Sequence, residues 1–331
     1  MPGAEGGRSG GRSRDANITA ALEEGMTATV RDMAVASPRL SAAAGGAVEV
    51  QRMLDDIENV WIDALGRRIH LDLHRSDAPK ATVVFQPGSG AHARLYFVLG
   101  GLLARRGYQF LGVDRPGHGL SDGPRGDCTV EEAIAVAQAA IEHARSQWPH
   151  PVVLMGSSMG GLLTMFALLH GLQPDAAVAH NFVYPGKLVS LRLRARWIAR
   201  FRTTHHPLAK LERRLDTLSD DPAINAWTRD RTDPAMAWEL SARSVASLFA
   251  FRVRAPADAM PCLVLNGDRD KAIPAWATRL FTRWSGLPNT EVKVIPDAGH
   301  HLFLDQLDRC VPLVVDWLEA HLASAPGAVR R

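Results

Sequence analysis

The sequence predicts an α/β fold: a mostly parallel central sheet with helices on both faces and one inserted helical segment. Three observations carry this. Short apolar, β-branched runs alternate with longer stretches of helical periodicity. Those runs are apolar almost throughout, as strands covered on both faces must be. Between residues 181 and 256 the alternation stops and no convincing strand appears.

Composition sets outer bounds. A chain of 331 residues holds one large domain or two small ones. With 46% apolar residues it can bury a sheet without disulfide or metal staples. A net charge of +3 gives no strong field, so nucleic acid is not an expected partner. Cys128, Cys262 and Cys310 are few and far apart, which fits neither a disulfide framework nor a zinc site. A reducing, cytoplasmic location is therefore expected. No apolar run is long enough for a transmembrane segment.

The elements follow in order. Residues 1–16 are rich in Gly, Ser and Arg without an apolar stretch behind them, so no signal peptide is expected. Residues 1–45 read as a mobile, disordered leader with room for a short helix near 18–40. Globular order is expected over 46–180 and 257–325. Residues 60–65 and 67–74 alternate around Gly66, predicting a hairpin. Residues 81–85 form a buried strand that runs into Pro87-Gly88. A helix over 95–106 stops at Gly107, and 108–113 is a strand. Thr129 caps a helix to about 147, with Glu131 and Glu132 placed well against the helix dipole. Strands at 151–155 and 176–179 bracket a helix at 159–170. Strands at 261–266 and 291–295 bracket a helix at 275–284, and a last helix covers 307–323.

Residues 181–256 are an inserted helical lid, broken at Pro207, Pro222 and Pro234. The insertion leaves a strand end, where loops line the active face of such a sheet. It carries 14 Lys and Arg against seven Asp and Glu. Arg192, Arg196 and Arg200 share one helical stripe with Trp197 nearby. That stripe is either a solvated face or a surface for transient membrane contact or an anionic substrate. Trp197, Trp227, Trp238, Phe249 and Phe251 either line an acyl pocket or form the core of the insertion itself. Asn181 and Phe182 open the insertion and are candidate substrate contacts.

The chemistry centres on Gly156-Ser157-Ser158-Met159-Gly160, a G-x-S-x-G between a predicted strand and a predicted helix. That context is a nucleophile elbow: the serine stands on a strained turn, and bulk two residues to either side would clash. Ser158 could otherwise be an ordinary helix N-cap. A serine nucleophile needs a base held by a third group. Asp268 and Asp270 both follow Gly267 at one strand end, and His300 and His301 follow Gly299 at another. Gly299 lets the chain turn into the site at His300, whereas His301 begins the last helix. Two backbone N–H groups must hold the oxyanion. Met159 is one candidate and Ser89, in the loop after residues 81–85, is the other. Neither nucleotide-binding glycine pattern nor H-E-x-x-H is present, so no cofactor and no metal are expected.

Four stretches together resemble the α/β-hydrolase superfamily, in its monoacylglycerol lipase and lysophospholipase-like branch. They are Pro87-Gly88-Ser89-Gly90-Ala91-His92 with Arg94 and Tyr96, Asp114-Arg115-Pro116-Gly117-His118-Gly119-Leu120-Ser121-Asp122-Gly123, the elbow through Gly161, and Gly267-Asp268-Arg269-Asp270 with Gly299-His300. The resemblance implies an α/β-hydrolase fold. It selects Asp270 as the acid by its spacing from Gly267, and Ser89 as an oxyanion donor. It places Asp114 and His118 in a structural turn. Two departures flank the site: Gln86-Pro87-Gly88 stands for apolar-His-Gly, and Ser157 for the elbow histidine. A monoacylglycerol substrate therefore does not follow directly.

The expected activity is hydrolysis of a small-molecule ester or lipid-like substrate by Ser158, His300 and Asp270. The same three residues would serve an acyltransferase, lactonase, amidase or C–C hydrolase. A ligand-binding member without catalysis is a third class. Dehalogenase and epoxide hydrolase chemistry is disfavoured, because those enzymes put Asp where Ser158 stands.

Overall fold

The computed structural model describes residues 9–183, 205–207, 219–252 and 260–322. Eight strands form the main sheet in the order β1-β2-β4-β3-β5-β6-β9-β10. The first two, β1 (Ile57–Ala64) and β2 (Arg67–His74), are the expected hairpin, and β2 runs antiparallel to β4 (Tyr108–Val113). From β4 onward every pairing is parallel, through β3 (Ala81–Gln86), β5 (Val152–Ser157), β6 (Ala176–His180), β9 (Cys262–Gly267) and β10 (Thr290–Ile295). Strands β3, β4, β5, β6 and β9 are buried along their whole length. This explains their unbroken apolar runs.

Helices cover both faces. On one side α5 (Val130–Gln147) and α6 (Met159–Leu169) pack into a cluster with Val84, Leu111 and Leu154. On the other, α4 (Phe97–Ala104) and the last helix (Leu307–Leu322) cover Val83, Phe85 and Leu265. The α5 start is a full capping box: Thr129 Oγ1 accepts from Glu132 N, and the Glu132 carboxylate accepts from Thr129 N. Among the described residues, no helix is long and apolar enough to cross a membrane.

Two expectations are corrected. The first concerns the leader. Ser9–Ala36 is one helix, α1, followed by α2 (Pro38–Ala44) and α3 (Ala47–Asp55). Met26, Val30 and Met33 recur at helical spacing and are buried. Each such side chain contributes about 1.5–3 kcal/mol on burial, which a solvated leader would forgo. The polar, Gly-rich start hid this narrow stripe. The second concerns the insertion. It contains two strands, β7 (His205–Pro207) and β8 (Glu239–Ser241), paired antiparallel in a small second sheet. Strands of three residues are too short to show alternation. Pro222 starts a helix rather than breaking one. Asp221 caps α7 (Pro222–Asp230) by accepting from Ala223 N, and proline fits the first helical position. Helix α8 (Ala242–Ala250) follows. The Arg192–Arg196–Arg200 stripe and Trp197 lie outside the described residues.

Candidate active site

The parallel strands β5, β6, β9 and β10 all end at one edge of the sheet, and the chemistry-bearing residues lie in the loops there. Between β5 and α6 the chain reverses at Ser158, whose φ of 52° and ψ of −113° are unusual for a residue with a side chain. Such a conformation costs about 1–3 kcal/mol and persists only where the surroundings enforce it. Those surroundings are backbone. A Cβ on Gly160 would meet the carbonyl oxygen of Gln86, one on Gly161 that of His180, and one on Gly156 that of Gly160. The three glycines let β3, β6 and α6 close tightly around the turn.

Ser158 Oγ lies 2.8 Å from His300 Nε2, and His300 Nδ1 lies 2.8 Å from Asp270 Oδ2. With Asp270 ionised, Nδ1–H donates to it and Nε2 is left to accept from the serine hydroxyl. The other carboxylate oxygen, Asp270 Oδ1, accepts from Ala272 N and Ile273 N at 2.9 and 2.8 Å. Burial alone would raise the Asp270 pKa. The bond from His300, the positive partial charges of His300 and His180, and the Ile273 N–H together hold it below the ordinary carboxylate value. Asp268 turns elsewhere: its Oδ1 accepts from Ala298 N, tying the two loops together. It does not pair with Arg269, which pairs with Asp297. After α9 (Ala275–Ser285), His301 heads a separate four-residue helix, α10 (Leu302–Asp305), and not the last helix, α11 (Leu307–Leu322), which corrects that expectation.

A second histidine, not singled out from the sequence, stands behind this series. His180, at the end of β6, is fully buried, with its ring centroid 5.2 Å from that of His300. Its Nδ1 is 3.4 Å from Ser157 Oγ. Burial, and then the nearby His300, hold it well below the usual imidazole pKa, so it stays neutral. His301 is likewise held down to about 3 by burial and by His300. The position of His180 on the same sheet edge as Ser158 was the available signal. Ligand atoms of His180, Asp270 and His300 all lie within 4.8 Å of one another, the one such group of metal-capable side chains among the described residues. The Asp270–His300 hydrogen bond already occupies its centre.

Asn181 is buried in a left-handed conformation, φ 53°. Its Nδ2 reaches Asp270 Oδ2 at 3.5 Å and His180 Nε2 at 3.4 Å. It therefore touches the Asp270 end of the series rather than open space, which corrects the expectation of a substrate contact. Phe182 is corrected too. It is fully buried against Phe166 in the core and lines neither cleft.

Ser89 belongs to the loop after β3, residues 87–90. That loop is pinned from below by Arg115, a buried guanidinium. Its two terminal nitrogens donate to Pro87 O and Gly88 O, each at 2.7 Å. Tyr96 Oη accepts from Gly88 N at 3.2 Å. Met159 is the first residue of α6, where a backbone N–H has no acceptor within its own helix. Asp114 and His118 serve the turn below. Asp114 accepts from Ala93 N, Leu120 N and His70, which lowers it to about 2 against the pull of burial. His118 contacts Pro116 O and is held down to about 3 by burial and by Arg115.

Two clefts flank Ser89. The larger, about 690 Å³ of empty space, reaches Ser158 and His300 between Leu95, Ile224, Trp227, Met236 and Trp238. The smaller, about 350 Å³, is lined by Met159 and Leu163 together with Arg115, Thr129 and Ser244. Trp227 and Trp238 thus face the larger cleft, with their ring centroids 5.8 Å apart. Phe251 instead stacks on Phe166 in the core.

Comparison with known proteins places this geometry. Residues 77–307 match the family described as serine aminopeptidase, S33, well over half of the chain. A monoacylglycerol lipase of Mycolicibacterium smegmatis (strain ATCC 700084 / mc(2)155) is 26% identical over 274 residues, spanning 78% of this chain and 95% of that protein. Among solved structures, a soluble variant of monoglyceride lipase from Saccharomyces cerevisiae superposes with a TM-score of 0.68 at 17% identity, covering 80% of this chain and 96% of that one. The monoacylglycerol lipase of Paleococcus ferrophilus gives 0.60 at 23% identity, covering 76% and 99%. With a mostly parallel eight-stranded sheet, a serine on a strand-to-helix turn and a match of this extent, the chain belongs to the serine aminopeptidase S33 family of α/β hydrolases.

Proposed function

We propose that the protein hydrolyses carboxylic esters with an apolar acyl group, through an acyl-enzyme on Ser158. The observation that carries this is the unbroken series Ser158–His300–Asp270, at 2.8 and 2.8 Å, opening into a cleft walled by Leu95, Ile224, Trp227, Met236 and Trp238. Ser158 Oγ attacks the acyl carbon as its proton passes to His300 Nε2. Asp270 stabilises the imidazolium, and the Ser89 and Met159 N–H groups receive the oxyanion. His300 returns the proton to the leaving alcohol. A water activated by the same imidazole then releases the acid and restores Ser158.

Esters are favoured over the peptides that the family description suggests. An aminopeptidase must hold a substrate ammonium, and a buried cation requires a carboxylate partner. No Asp or Glu lines either cleft among the described residues. The lipase relatives support the same choice. A panel of p-nitrophenyl esters from acetate to laurate, run beside amino-acid p-nitroanilides with Ser158→Ala as the blank, tests the reading. Turnover is expected on the esters and not on the anilides. Anilide turnover without ester turnover would overturn it.

A further inference from the structure

The wall of the larger cleft is tied to the hydrolase core, through Ala237 N to Gly90 O at 2.8 Å and Ser219 Oγ to Asp305 Oδ2 at 2.6 Å, and also to residues outside that core. Ile224 and Trp227 come from α7, and Met236 and Trp238 from the chain just after it. A helix of nine residues is marginal on its own in water. Helix α7 is braced from outside the family match, which begins at residue 77. Ser37, between α1 and α2, donates its hydroxyl to Asp221 Oδ2 at 2.6 Å in a buried contact. Asp221 is also the N-cap of α7, and Ser37 is the N-cap of α2. One buried pair thus joins the starts of two helices.

A second brace lies past the other end of α7. Thr29 Oγ1 on α1 is 3.1 Å from Asp233 Oδ2, and the same oxygen is 3.0 Å from His92 Nε2. Asp233 Oδ1 accepts from Ala235 N, and Trp238 Nε1 donates to Asp233 O. Beside them Met26 packs with Ala235, and the Gly25 backbone comes so close to Pro234 that a Cβ there would sit 3.1 Å from its ring. Helix α1 is itself fixed to the core. Arg94 is buried, donates to Glu23 and Thr27 of α1, and pairs with Asp72 of β2 at 2.7 Å.

We infer that the N-terminal helices are a specificity-determining clamp: α1 and α2 set the position of the wall from Ile224 to Trp238, and so the acyl length the cleft accepts. This rests on the ester-hydrolase reading above. Ser37 and Thr29 are positioning residues, acting through Asp221 and Asp233 and touching no substrate.

The test compares labelling rates with an ethyl and a dodecyl fluorophosphonate, which need the nucleophile but no turnover. Thr29→Val with Ser37→Ala should lower the long-to-short rate ratio about five-fold, an effect the size of a small change in pocket fit. The ethyl rate should stay near that of the unaltered protein. Glu49→Ala, on α3 and paired with Arg105 away from the wall, should leave the ratio alone. If the double variant does not fold, Gly25→Leu applies the same question by pressing α1 off Pro234 while leaving Ser37, Thr29 and the two buried carboxylates unaltered. A ratio that does not move in a folded variant, or both rates falling together, overturns the clamp. No labelling of the unaltered protein by either probe overturns the hydrolase reading itself.

Discussion

The loops that carry Ser158, Asp270 and His300 and the segment that walls the larger cleft are held by different kinds of interaction. At the strand ends the bonds are local or backbone-determined. Asp270 Oδ1 takes two N–H groups from residues two and three places on, and Ser158 is forced into its turn by glycines against neighbouring carbonyls. The wall takes backbone bonds as well, Ala237 N to Gly90 O and Gly119 N to Ala235 O, but it adds braces between side chains far apart in sequence, Ser37 to Asp221 and Thr29 to Asp233. The chemistry is thus built where the chain can scarcely vary. The shape of the larger cleft draws in part on two hydroxyls that can be changed without touching the strand ends.

The largest expected effect falls on the strand-end loops. Asp270→Asn should lower kcat about 10⁴-fold, because the amide no longer fixes the His300 tautomer. Asp268→Asn, measured beside it in steady-state assays, should change kcat little, since Asp268 accepts from Ala298 N and an amide oxygen there can do the same. Equal losses in the two variants would break the assignment of the acid. A smaller effect is expected beneath Ser89. The Gly88 carbonyl that accepts from Arg115 belongs to the same peptide as the Ser89 N–H, so the guanidinium both locks and polarises the proposed oxyanion donor. Arg115→Met should lower kcat about ten-fold with KM nearly unchanged, less than the loss of a direct donor. A rise in KM alone would mean that Arg115 shapes ground-state binding instead. The smallest effect belongs to the wall. Trp227→Ala should lower kcat/KM for laurate about five-fold more than for acetate, while the acetate rate holds. A uniform loss would erase the distinction between the two regions.

The same contrast explains what could be read from the sequence. The strand and helix order was legible because buried parallel strands need apolar runs and glycine stops, as residues 108–113 and Gly107 show. The Ser158 turn was legible because its glycines are a local steric demand. Choosing between Asp268 and Asp270 needed the family spacing, since both follow Gly267 and only the fold turns one toward His300. The role of α1 was hidden. Its partners lie some two hundred residues away, and no local pattern around Thr29 or Ser37 announces a buried carboxylate. Asn181 and Phe182 were misread because the first position of an insertion looks like a site opening. Their burial depends on α9 and α6, which pack over them: Phe182 N lies near Thr278 Oγ1, and its ring meets Phe166.

The central claim is that Ser158, activated by His300, is the nucleophile. Peptide mass mapping after reaction with a fluorophosphonate tests it most directly. A single adduct on the peptide carrying Ser158 is predicted, lost in His300→Gln and in Ser158→Ala. An adduct on Ser157, on Ser89 or on any other residue, persisting in Ser158→Ala, would contradict it.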